Sequence, residues 1–417
     1  MTNIDNRPLR ICLLGYRSNP HCGGQGVYIR NLSHALIRLG HFVEVVSGPQ
    51  YPELTNGIPL VKLPSLDLYN PKDLFRTPRP KELNDGINLL EWLGVSSMGF
   101  PEPYTFGLRA WRFLKSRDFQ YDVIHDNQSL SYGIWAIGRR FPLVATIHHP
   151  ITVDRDLAVR SEKAIWRKLS ALRWHSFLSM QKRVSRTLSN IITVSQCSKA
   201  DISHEFDIPK NRFTVIPNGI NTDLFHPVYG VQRAKNRIIV TNSADIPLKG
   251  LQHLLPAVAN ILKKRPVSLI VVGSPKKNGQ ISKLIKRLGI GRHITFTGRI
   301  SDAEFVRQYA RATIAVVPSV YEGFGLPAGE AMACGVPVIS TTGGALPEVV
   351  GDAGILVPPA DSRALETAIL HLLDNPDQAK ELGEAGRRRV EKHLTWSAAA
   401  KKTVEVYKRA IRDHHRP

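Results

Sequence analysis

Two glutamates eight positions apart, Glu322 and Glu330, enclose the string Gly323-Phe324-Gly325-Leu326-Pro327-Ala328-Gly329. The apolar run Ile314–Pro318 just before it reads as a buried strand. Pro327 fits the first turn of a helix, where its missing N–H costs nothing. The amides of Phe324, Gly325 and Leu326 then point out of a helix N-terminus, a ready anion site for a diphosphate or a sugar oxygen. Glu322 falls in the loop and Glu330 about one turn into the helix, a spacing that lets both carboxylates face one cleft. Two solvated glutamates beside an ordinary turn are the bland alternative, but the glycines between them favour chemistry. His148 closes the apolar run Leu143–Ile147, with His149 as its competitor. Strand ends of an open parallel sheet are where ligands sit. Lys249 precedes Gly250 and a helical pattern, which places a cation beside a turn of the same kind.

The elements that must hold these residues alternate along the chain. Leu9–Leu14, Phe42–Val46, Asp122–His125, Leu143–Ile147 and Ile191–Ser195 read as buried strands. Between the first two lie a Gly-rich turn (Cys22 to Gly26) and a helical pattern (Val27, Leu32, Leu36, Leu39) that ends at Gly40. A second series follows: strands at Arg237–Thr241, Val267–Val272, His293–Thr297, Ile314–Pro318 and Val336–Thr341, with helices at Leu251–Lys264, Gly279–Leu288 and Asp302–Ala312. Such alternation calls for parallel sheets. The expectation is an α/β fold of two Rossmann-like domains with a cleft between them, joined near Pro217-Asn218-Gly219. The Pro-rich, aromatic stretch from about 50 to 121 reads as loops and short helices inserted in the first domain. Residues 150–189 read as a second insert containing a basic helical segment, Ser161–Leu188.

The segment EGFGLPAGEAMACGVPVI resembles the E-x7-E segment of the GT-B-fold retaining glycosyltransferases of family 4 (glycosyl transferases group 1). Other matches fall in the same order. Gly23-Gly24-Gln25-Gly26-Val27-Tyr28 with Leu32, Leu36, Gly40 and His41 is similar to the family's N-terminal loop and first helix. Pro217-Asn218-Gly219-Ile220-Asn221 with Phe225 and Pro227 is similar to its interdomain junction. Lys249-Gly250 is similar to its phosphate lysine, and Gly343-Gly344 through Pro347-Glu348 to Pro358 to its closing segment.

The resemblance implies an acceptor-side domain over 1–217, a donor domain over 218–394 and a C-terminal helix, 395–417, that returns to the first domain. It also implies roles by position. Glu322 holds donor-sugar hydroxyls, the amides of Phe324, Gly325 and Leu326 cradle sugar and phosphate, and Glu330 accepts ribose hydroxyls. Gly24 is a close-approach glycine, where a side chain would block the cleft. His148 contacts the donor sugar, whereas packing is the expected job of His125. Lys249 meets charge that grows on a departing nucleoside diphosphate, so it stabilises the transition state more than the ground state. Six positions before that lysine the family usually has an arginine; here stands Ser243, which donates a hydrogen bond without charge. Arg299 is the substitute cation to consider. The resemblance suggests front-face attack with retention. Asp154-Arg155-Asp156 has the form of a metal-binding DxD motif, but acids also suit the first turn of a helix. No metal and no other cofactor is expected.

Charge adds a second line. Among 417 residues, 56 Lys and Arg stand against 35 Asp and Glu, a formal net charge of +21, which implies acidic partners. The excess concentrates in three stretches: Arg155–Asn190 (nine basic, two acidic), Ile246–Ser301 (eleven basic, none acidic) and Arg387–Pro417 (ten basic, three acidic). In the first, Ile165, Leu169, Leu172, Phe177, Met180, Val184 and Leu188 recur at helical spacing with Trp166 and Trp174 between them. That pattern suits an anionic membrane surface, or a core-facing stripe with a solvated basic back. No apolar run approaches a transmembrane helix, the first ten residues carry no secretory core, and the four cysteines show neither a CxxC pair nor metal-ligand spacing. The expected function is retaining transfer of a sugar from a nucleotide-sugar donor to a sugar, lipid or lipid-linked acceptor, at or near the cytoplasmic face of a membrane. The competing readings are an inactive binding protein of the same fold and a nucleic-acid-binding protein. The latter has only the charge in its favour, since no stacking aromatics on basic strands accompany it.

Overall fold

In the computed structural model, which describes residues 7–19, 24–70, 73, 76–118, 120–162, 164–241 and 245–415, the apolar runs become the strands of two parallel sheets. Cys22, Gly23 and Ser243 lie outside the described residues. The chain divides into two compact units, one of Met1–Val194, Ser198–Ile216 and Ala399–Pro417, the other of Ser195–Cys197 and Pro217–Ala398.

The first unit holds a seven-stranded sheet: β1 (Arg10–Gly15), β2 (Phe42–Ser47), β3 (Leu60–Lys62), β4 (Val123–Asn127), β5 (Leu143–Ile147), β6 (Ile191–Thr193) and β7 (Phe213–Val215), in the order β3-β2-β1-β4-β5-β6-β7. Ile11 of β1 pairs with Val43 on one side and Val123 on the other, which makes β1 and β4 central. Both are buried almost throughout, as strands covered by helices on two faces must be. The helix Gly24–Arg38 buries Tyr28, Ile29, Leu32 and Leu36, and Gly40 ends the segment at φ +87°. The expected insert supplies the helices Gly86–Ser96 and Glu102–Leu114. The latter packs Phe106, Ala110 and Leu114 with Leu14, Val46 and Ile124. It also supplies the edge strand β3, whose three residues are too few to show a period. β7, the opposite edge of the sheet, is likewise short and only partly buried.

The basic segment Ser161–Leu188 is not one helix. It comprises the helices Ile165–Trp174 and Phe177–Ser185, and a further helix, Thr152–Ser161, precedes them. His175 Nδ1 hydrogen-bonds the Ala171 carbonyl at 2.8 Å where the first of the pair ends. The apolar spacing splits at that break: Leu178, Met180 and Val184 are buried, while Ile165–Trp174 buries no residue.

The second unit holds six strands: β8 (Arg237–Thr241), β9 (Ser268–Val272), β10 (Ile294–Phe296), β11 (Ile314–Val317), β12 (Val338–Thr341) and β13 (Ile355–Val357), in the order β10-β9-β8-β11-β12-β13. Ile238, Val240, Leu269, Val271, Ile314 and Val316 build its core with Leu251, Leu254, Leu255 and Val258 of the helix Leu251–Leu262. In both sheets the strand order reverses beside the first strand, at β1/β4 and at β8/β11. Crevices at the carboxyl ends of such strands are where α/β sheets bind ligands.

At β8/β11 the two loops nearly touch. Val320 N donates to Leu248 O at 2.8 Å, and Gly250 sits at φ +71° with its backbone against Pro318. A Cβ there would lie 1.8 Å from the Pro318 carbonyl oxygen. Gly250→Ala is therefore expected to destabilise the protein by at least about 1–3 kcal/mol, from strain at positive φ and backbone collision together. Thermal melting checks this; a Tm equal to that of the parent would refute the close approach.

Candidate active site

The first cluster forms where the loops after β8 and β11 meet. Lys249 ends a short 3-10 turn, Pro247–Lys249, and its Nζ lies 2.7 Å from Glu322 Oε1. Ser319 Oγ donates to the same oxygen at 2.8 Å, and Thr341 Oγ1 holds the Ser319 carbonyl. Two residues placed 73 positions apart in the chain are thus one ion pair, with Glu322 the more buried partner. The helix Leu326–Ala333 begins directly after, with Gly325 as its N-cap at φ +105°. Among the described residues the amides of Phe324, Gly325 and Leu326 have no hydrogen-bond partner, so the helix start presents three donors and the positive end of its dipole. The loop is pinned from behind by Gly344, whose Cβ, if it had one, would sit 2.2 Å from the Glu322 carbonyl oxygen.

Glu330 lies one turn into that helix. Burial pushes its carboxyl up to about 7, and the charge of Asp302 adds to the effect. Its carboxylate has no partner among the described residues, in contrast to that of Glu322. The two glutamates therefore differ in kind: one is a held anion, the other an unpartnered acceptor that ionises near neutrality. Arg299 is exposed and follows β10, one strand removed from β8, and the structure does not bring it into contact with Lys249 or Glu322.

The second cluster forms in the first unit at the ends of β4 and β5. His148 Nε2 donates to Asn127 Oδ1 at 2.7 Å, and Asn127 is oriented by donating its own amide to Gln25 O at 3.2 Å. The His148 amide donates to Gln128 Oε1 at 2.7 Å, and its ring meets the Tyr28 ring edge-on at 4.8 Å between centroids. Burial, with His149 and His125 nearby, lowers the His148 pKa to about 3, so the ring is neutral. With Nε2 donating, Nδ1 is left as an acceptor.

The loop that presents Asn127 and Gln128 is strained: Gln128 and Leu130 take φ of +60° and +49°. Asp126 accepts from the Ser129 hydroxyl and the Leu130 amide, and Gln181 donates to the carbonyls of Gln128 and Ser129. Strain held by this many bonds marks sites where position matters. His125 is buried and neutral as well, in a chain that runs from Tyr407 (2.6 Å) through His125 to Thr146 (2.7 Å) and on to Tyr28 (3.0 Å). The histidine expected only to pack thus links the C-terminal helix Trp396–His414 to the first helix.

Gly24 opens the first helix, is exposed, and has nothing within 4 Å of the place a Cβ would take. The glycine that protein atoms demand is Gly26, where a Cβ would lie 2.1 Å from Asn19 O. His149 pairs with Asp154 at 3.0 Å, in the first turn of Thr152–Ser161, which is where the DxD-like string lies. Among the described residues no group of three or more His, Cys, Asp and Glu is gathered as for a metal ion. Asn127, Gln128 and Ser319 were not singled out from the sequence, and Tyr28 entered only as part of the first-helix motif. The polar run Asp126–Ser129 directly after a buried strand was the available signal for two of them.

Comparisons with known proteins show the family of the chain. Residues 229–389 match the family model described as Glycosyl transferases group 1, and residues 22–224 match that described as Glycosyltransferase Family 4. Over 408 residues the chain is 48% identical to an MMP alpha-(1->4)-mannosyltransferase of Mycolicibacterium hassiacum, covering 97% of this chain and 98% of the relative. It is 26% identical over 453 residues to a D-inositol 3-phosphate glycosyltransferase of Streptomyces scabiei (99% and 94% covered). Among solved structures, the sucrose-phosphate synthase of Thermosynechococcus elongatus superposes with a TM-score of 0.75 at 26% identity, over 97% of this chain and 100% of the other. The chain thus belongs to the group 1, family 4 glycosyltransferases of GT-B fold, and is an enzyme that moves a sugar from a nucleotide-sugar donor to a hydroxyl acceptor.

Proposed function

We propose that the sugar is mannose, that it is transferred with retention and without a metal ion, and that the acceptor is a glycan hydroxyl, joined in an α-(1→4) linkage. The 48% identical mannosyltransferase supports the sugar and the linkage. We further propose that the acceptor is a sugar or lipid-linked sugar met at or near the cytoplasmic face of a membrane, a reading supported by the basic stretches of the chain. Among the described residues no helix is long and apolar enough to cross a membrane, so this association would be peripheral.

The observation that carries the chemistry is the Lys249–Glu322 pair, 2.7 Å apart beside an open helix N-terminus. In this reading the donor diphosphate lies against the amides of Phe324, Gly325 and Leu326 with Lys249 alongside, and Glu322 holds sugar hydroxyls. Glu330 accepts the ribose diol. As the bond between the sugar C1 and the phosphate oxygen breaks, the electron pair stays on that oxygen, and Lys249 balances the growing charge. The acceptor oxygen bonds to C1 on the face the phosphate leaves, and its proton passes to the departing phosphate. In the first unit, His148 presents Nδ1 as a hydrogen-bond acceptor suited to a sugar hydroxyl. Ser243 brings no charge, which leaves Lys249 as the principal cation of this cluster.

The test is incubation of UDP-, GDP- and ADP-linked mannose and glucose with α-(1→4)-linked oligosaccharides, with NMR of the product and a parallel reaction in EDTA. A mannosyl product with the donor's own α configuration, undiminished by EDTA, is expected. A β product overturns retention, loss in EDTA overturns metal independence, and transfer of glucose alone overturns the sugar.

A further inference from the structure

We propose that the exposed apolar face shared by the helices Gly86–Ser96 and Ile165–Trp174 docks on an anionic lipid bilayer. The inference rests on the membrane-face reading above and names the surface that makes the contact.

The first helix is built inside out. A surface helix ordinarily buries its leucines and exposes its acids. This one buries Glu91, whose carboxylate meets the Arg109 guanidinium at 2.5 Å in the interior, and turns Leu89 and Leu93 to solvent, Leu93 at 51% exposure. Met98, just past its end, is 58% exposed. The second helix has no buried residue at all. Ile165 (77%), Trp166 (65%), Leu169 (60%) and Leu172 fall at i, i+1, i+4 and i+7, a single stripe along it.

The two helices adjoin. Ser170 Oγ lies 3.7 Å from Met98 Sδ, and Arg173 donates to Ser97 Oγ at 2.5 Å. Ten residues are too few for a helix to hold itself in water, and exposed apolar faces of this kind mark contact surfaces.

Charge selects the occupant. Arg160, Arg167, Lys168 and Arg173 are exposed on or beside the second helix, within the stretch that carries nine basic residues and two acids. A second copy of the chain would set one basic face against another. Most of the stripe is aliphatic, so it offers few of the flat aromatic faces on which pyranose rings stack. Leucine, isoleucine and tryptophan at the headgroup boundary, with basic heads reaching the phosphates, match an interfacial amphipathic helix.

The experiment is vesicle flotation of the full chain with phosphatidylcholine alone and with equal parts of phosphatidylcholine and phosphatidylglycerol, at low and high salt. The parent is compared with Trp166→Glu/Leu169→Glu, whose fold is checked by circular dichroism and Tm and whose transfer to a soluble acceptor should be unchanged. The parent is expected to float with the anionic vesicles at low salt, and the variant to partition about tenfold or more weakly. A parent that binds no vesicle overturns both this surface and the membrane-face reading. A variant that binds as the parent does overturns the surface alone. A parent that sediments as a dimer, dissolved by the variant, overturns the lipid in favour of a second copy.

Discussion

Lys249→Ala is expected to lower kcat for transfer by about 10²–10³-fold, with a smaller change in the KM for the donor. The reason is differential. A cation beside the diphosphate gains more as the C1–O bond breaks than it does in the ground state, so its loss falls on the chemical step. Glu322 complicates the reading, because Lys249 and Ser319 both hold its Oε1. If Lys249 acts only by steadying Glu322, then Lys249→Ala, Glu322→Ala and the double variant should be equally slow. If each touches the donor, the single losses should differ and the double variant should be the slowest, short of additivity because the two are in contact. Lys249→Arg keeps the charge but replaces a point ammonium with a planar fork, so only partial recovery is expected. Steady-state kinetics of the four variants decide the matter. Activity of Lys249→Ala within a few-fold of the parent would remove the lysine from the mechanism.

Glu330→Gln is expected to do two opposite things: raise stability above neutral pH and weaken use of the donor. Burial lifts this carboxyl from its ordinary 4.5 to about 7. The folded protein therefore holds the proton between those two values while the unfolded chain has released it. The carboxyl thus costs stability as pH rises through this window, fully so above about 7, and costs nothing below about 4.5. Glutamine removes a penalty on the order of 2–3 kcal/mol at mildly alkaline pH. Melting curves of parent and variant should diverge on the alkaline side and coincide in acid. In the parent, the KM for the donor should fall as pH rises through about 7, because only the ionised carboxylate accepts both ribose hydroxyls. In the variant that dependence should vanish. A variant no more stable than the parent above neutrality would show that Glu330 is well solvated. Unchanged donor KM would take it out of the binding site.

Much of the fold is legible in the order of the residues. Buried strands of a parallel sheet are continuous apolar runs, and helices announce themselves by a 3.6-residue period, so β1, β2, β4, β5, β6 and the strands from β8 to β12 were legible. Strands β3, β7 and β13, sheet edges that are only partly buried, were not read from the sequence. The turn that follows β11 was legible because glycine takes positive φ at the least cost, and because proline marks a helix start. What tertiary structure decided was partnership. Lys249 and Glu322 could each be placed at a strand end, but their pairing follows from β8 lying beside β11 in space. His125 was read as packing because its partners, Thr146 and Tyr407, lie 21 and 282 positions away. Spacing alone made Ile165, Leu169 and Leu172 continuous with Met180 and Val184. Burial separated them, because a periodic apolar stripe states that a face seeks cover without stating whether the rest of the chain provides it.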